Sequence, residues 1–150
     1  GANGIWQVNE KDKPYGPSPH GRAWGSTPWE DAMNLPGSRQ VGLGGKFFAR
    51  FPWWEMQHHP DWYDESKKEN DPYGPIVAGI PRKLRIAYSP MCWTPPTIKA
   101  IEPDVQYSAW YFDPVTGNEI ALGPVKPDAE GKWTPPFPPE VHDWIIVLQA

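Results

Sequence analysis

The chain has 150 residues, is 39% apolar and 21% charged, and carries a formal net charge of -4. These values match folded globular proteins and exclude general disorder, and the scattered basic residues form no patch for a nucleic-acid backbone. The 21 prolines exclude a helical bundle, because each interior proline costs a helix about 3 kcal/mol.

Residues 1–8 (GANGIWQV) read as a short strand, and a chain that opens there without methionine reads as a fragment. Residues 9–26 are polar and rich in Gly, Pro and Ser, a long loop punctuated by Tyr15 and Trp24. Thr27-Pro28-Trp29-Glu30 has the form of a capping box, with the threonine hydroxyl and the glutamate satisfying each other's backbone N–H groups. The helix it opens is short, since Pro36 pushes Leu35 out of the helical region.

Pro36 suits the first position of a second helix reaching about Phe51. Leu43, Phe47 and Phe51 fall at i, i+4 and i+8, one apolar stripe flanked by Val41 and Phe48. Gly42, Gly44 and Gly45 each weaken that helix by up to about 1 kcal/mol relative to alanine. Tertiary contacts must hold it, and the glycines would allow close approach to a neighbour.

Residues 52–74 form a connection. Trp53, Trp54, Trp62 and Tyr63 are too apolar for a free linker and are expected to join two structural units. The mixed charges of residues 64–71 (DESKKEND) read as a solvated loop.

From Pro75 the pattern turns to β. Ile76–Ile80 and Leu84–Tyr88 are strands, the latter with period two. Thr97–Ile101 is a short run, and Val105–Phe112 is the strongest strand. Residues 113–118 (DPVTGN) are turn chemistry, with Asp113 as a turn residue, and Glu119–Leu122 returns as the partner. Lys132–Thr134 is short, and Asp143–Gln149 closes the chain as a buried strand. Six or seven such strands predict an antiparallel β-sandwich. No internal sequence repeat is visible.

Titratable clusters are few. His58-His59 and His142 lack a Cys, Asp or Glu partner at ligand spacing, so no metal or other cofactor is expected. Cys92, the 1 cysteine, has no obvious base beside it and cannot form an internal disulfide. Phosphate-loop and dinucleotide motifs are absent, as is any apolar run of membrane-spanning length. Expected partners therefore include neither nucleic acid nor membrane. The 10 tryptophans exceed the needs of one small core. Most should pack between elements, but the surplus favours a protein that handles carbohydrate.

Two sets of motifs carry a resemblance. Residues 110–117 (WYFDPVTG), 133–136 (WTPP) and 142–148 (HDWIIVL) resemble a small C-terminal domain named for collagen binding in a collagenase, over roughly residues 75–150. No residue argues for collagen itself as a ligand. Residues 1–7 (GANGIWQ), 24–29 (WGSTPW) and 35–38 (LPGS) are similar to the end of the apiosidase-like glycoside hydrolase barrel.

The resemblance implies a mostly β fold: an antiparallel β-sandwich preceded by the last strand and helices of a (β/α)8 barrel. Residues 1–56 would be the barrel remnant, 57–74 an aromatic connection and 75–150 the sandwich. The implied protein is a glycoside hydrolase acting on plant or bacterial polysaccharide, secreted or periplasmic. Its partners would be a glycan and the upstream barrel part. Glycoside cleavage needs two carboxylates flanking the bond, at the C-terminal ends of barrel strands. The resemblance places them upstream of Gly1, so no catalytic residue is expected here and the chain alone would be inactive.

Glu10 and Asp31 read as surface groups and Glu30 as the cap. Trp6 and Gln7 would lie at the barrel mouth. There an indole floors a sugar's apolar C–H face and an amide hydrogen-bonds a hydroxyl, unless Trp6 packs in the core instead. Trp24 is the next candidate for substrate contact, with His20 in the same loop. A rival reading is a non-catalytic carbohydrate- or matrix-binding module that uses Trp93, Trp110 or Trp133. In a third, the sandwich only covers the barrel. A row of exposed tryptophans would favour binding, and their burial would favour structure.

Overall fold

The computed structural model describes residues 9–12, 27–63 and 74–150. They belong to two compact units, divided along the chain between Arg50 and Phe51.

In the first unit, α1 spans Trp29–Ala32 and α2 spans Pro36–Phe48. Pro36 occupies the first turn of α2, and Leu35 before it is extended (φ -66°, ψ 153°), as the steric rule for a residue preceding proline requires. The capping box does not form. Pro28, with no side-chain donor or acceptor, is the N-cap of α1, and no side-chain cap bond is present. The entry is fastened from the backbone instead, by the Trp29 N–H donating to Asn9 O at 2.8 Å. Ala32 and Phe47 are the buried side chains of the two helices. A Cβ placed at Gly42, Gly44 or Gly45 meets no atom within 4 Å, so among the described residues the glycines serve no close approach.

The second unit is one six-stranded antiparallel sheet: β1 Gln57–His58, β2 Ile76–Ile80, β3 Leu84–Ser89, β4 Ser108–Phe112, β5 Glu119–Pro124 and β6 Trp144–Gln149. The order is β1-β2-β3-β6-β4-β5. The C-terminal strand thus sits at the centre, between β3 and β4, which explains its unbroken apolar run from Trp144 to Leu148. The chain is mostly β, as the sequence predicts.

Register defines the two faces. On one face Val77, Ala87, Ile146 and Tyr111 lie across from one another, as do Gly79, Arg85, Leu148 and Ala109. Trp62, Cys92, Ile98, Ile101 and Tyr107 complete the core on this side. Its outer layer is minimal. Two isolated antiparallel bridges, Tyr63 to Ile98 and Ile98 to Trp133, stand where a second sheet would be. Residues 97–101 and 132–134, read as strands in the sequence, each contribute a single bridge residue. The architecture is thus a sandwich with one regular sheet and one vestigial layer. The opposite face is also apolar, with Leu84, Ile86, Phe112, Ile145 and Val147.

Several bounds differ from expectation: α2 ends at Phe48 rather than about Phe51, and β5 runs on from Leu122 to Pro124. The strand expected over Val105–Phe112 begins at Ser108, because the Val105 N–H closes a turn onto Glu102 O. The short β1 was not anticipated. Its histidine and glutamine are exposed and carry no apolar alternation; only their pairing with Ala78 and Gly79 makes them a strand.

Candidate functional site

The residues expected to touch substrate, Trp6, Gln7 and Trp24, lie outside the described residues, as does His20. Of the nearby carboxylates, Asp31 pairs with Lys11 at 3.1 Å on the surface. Glu30 Oε2 is shielded from solvent and has no hydrogen-bond partner among the described residues, so it is not a cap. The physical reason is local: Pro28 takes the cap position, leaving no threonine–glutamate reciprocity.

The most organised polar group lies inside the sheet unit. Arg85 is 1% exposed and points to the core face of β3. Its cationic carbon stands 3.9 Å from the centre of the Trp62 ring and 5.9 Å from that of Tyr107. Its guanidinium donates to the carbonyls of Lys99 (2.8 Å) and Ala100, and to Glu102 Oε2 (2.8 Å). The Tyr107 hydroxyl donates to the same carboxylate oxygen at 2.8 Å. Burial alone would raise the Glu102 pKa. Hydrogen bonds from Tyr107, its own backbone and Arg85, together with the arginine charge, outweigh burial and hold the carboxyl below its ordinary value. Burial, then the bond to Glu102, pushes the Tyr107 hydroxyl up to about 12.

Outside this cluster the Arg82 backbone N–H donates to Glu102 Oε1 at 3.0 Å, and its guanidinium grips Asp104 with two bonds. Both acidic residues are committed to arginines. Trp62 in turn stacks on His59 at 3.7 Å with the rings nearly parallel. Among the described residues no group of three His, Cys, Asp or Glu could hold a metal ion. The cluster is an internal clasp tying the segment 99–107 to the sheet. It presents no pair of carboxylates across a cleft.

Asp113 is a turn residue, as the sequence predicts. Its carboxylate accepts from the backbone N–H groups of Val115 (2.7 Å) and Thr116 (3.3 Å) and from the Thr116 hydroxyl (2.6 Å). Gly117 supplies the positive φ of 81° that the turn needs.

The three tryptophans weighed for glycan binding separate by exposure. Trp110 and Trp133 are half-buried, whereas Trp93 is 68% exposed. They form no exposed row. The segment carrying Trp93 is pinned at the end of the sheet where β3 finishes and β6 begins. Asp143 accepts from the Tyr88 hydroxyl at 2.6 Å and from the Met91 N–H at 2.9 Å. Burial and the Asp143 bond push the Tyr88 hydroxyl up to about 12. The Cys92 N–H donates to His142 O at 2.8 Å, and the Trp93 N–H to Met91 O at 2.7 Å. Met91 adopts φ 42°, a conformation rare for a side chain of its size.

The comparisons with known proteins agree with this architecture. Residues 1–55 match the family model "Apiosidase-like, catalytic domain". A solved structure named "Glycoside hydrolase" superposes with a TM-score of 0.67 at 17% identity, covering 86% of this chain and 28% of the other. A glycoside hydrolase family 5 from Bacteroides vulgatus ATCC 8482 superposes with a TM-score of 0.68 at 15% identity, covering 98% of this chain and 31% of the other. At these identities the likeness is one of fold. The chain spans about a third of the length of these two solved glycoside hydrolases. No curated protein matches the sequence significantly.

Proposed function

We propose that this chain is the C-terminal part of a glycoside hydrolase acting on plant or bacterial polysaccharide, with the sheet unit supporting the catalytic barrel. The observation that carries the reading is a coincidence of boundaries. The match to a catalytic-domain family ends at residue 55, close to where the first compact unit ends. Two solved glycoside hydrolases continue along the rest of the chain with the same fold.

In this reading Trp6 and Gln7 line the mouth of the barrel and Trp24 reaches it from the following loop. The acid and nucleophile belong to the preceding barrel strands. Three of the described carboxylates fit that division of labour: Glu102 and Asp104 are held by arginines and Asp113 by its own turn. The protein meets its glycan outside the cytoplasm, as a secreted or periplasmic enzyme.

Immunodepletion tests the proposal. An antibody against residues 75–150 should remove reducing-end release on plant polysaccharide from the native extract. Undiminished hydrolysis in the depleted extract, with none in the captured fraction, rejects it. The rival reading, a binding module with a row of tryptophans, loses support because Trp110 and Trp133 are half-buried and form no exposed row with Trp93.

A further inference from the structure

We draw no further inference here: the strongest candidate, the exposed apolar side of α2 that carries Val41 and Phe48, has nothing among the described residues to show what covers it.

Discussion

Arg85 is the most deeply buried charged side chain among the described residues. A guanidinium 1% exposed would be prohibitive in an apolar core without partners. Two carbonyls, a carboxylate and two aromatic faces offset that cost. Removing one ionic partner exposes the asymmetry, since the remaining charge stays buried. Glu102→Gln should destabilise the chain by about 2–4 kcal/mol, read from urea unfolding. The pH dependence has a definite sign. The folded-state pKa of Glu102 is lowered, so its stabilisation is full above the unfolded value near 4.3 and is lost as pH falls through the folded value. Acid unfolding of Glu102→Gln should therefore be shallower below about pH 4 than that of the native chain. Sequence alternation gave no warning of this role. Arg85 occupies what looks like the polar phase of β3, but both phases of that strand are buried, and its carboxylate partner lies 17 residues away. Trp6 belongs to the same scale. In the hydrolase proposed above, Trp6→Ala should raise KM about tenfold, measured on a soluble oligosaccharide, with thermal stability little changed.

At the scale of elements, glycines at two kinds of position give opposite expectations. Gly79 in β2 lies under Trp62. A Cβ there would overlap Leu84 O and come within 2.8 Å of Trp62 Cζ3. Gly79→Ala should cost about 1–3 kcal/mol through overpacking. Gly45 in α2 faces open space, and Gly45→Ala should stabilise the helix by about 0.5–1 kcal/mol. Parallel thermal melts of the two variants decide both. The strands β2, β3, β5 and β6 were legible because each is apolar or β-branched and bounded by turn residues. The short β1 was not, because nothing in Gln57 and His58 favours a strand apart from the neighbour they pair with. The residues bridging through Ile98 and Trp133 looked like strands from composition. They stop at single bridges: Ala100 adopts a left-handed φ of 53° that breaks the extended run, and the Lys99 and Ile101 N–H groups turn to Trp62 O and Gly131 O. The capping box was misleading for a related reason: the pattern names the right residue types, but Pro28 takes the position in which a hydroxyl would have to act.

For the whole molecule, the proportions matter most. The matched glycoside hydrolases are about three times as long as this chain, and the catalytic-domain match occupies only residues 1–55. The tryptophan surplus pointed to carbohydrate, and the structure accounts for part of it in packing. Trp62 and Trp144 are core residues, and Trp110 and Trp133 are half-buried. The hydrolase account proposed above makes residues 1–56 one edge of a barrel, which could not bury its own strand and helix faces, so that account requires the sequence to work as one part of a larger body. Intact-mass spectrometry of the native polypeptide that carries residues 75–150 tests this most directly. The account predicts a polypeptide, or a tight complex, about three times as long as the present chain. A 150-residue species that is folded and stands alone would contradict it.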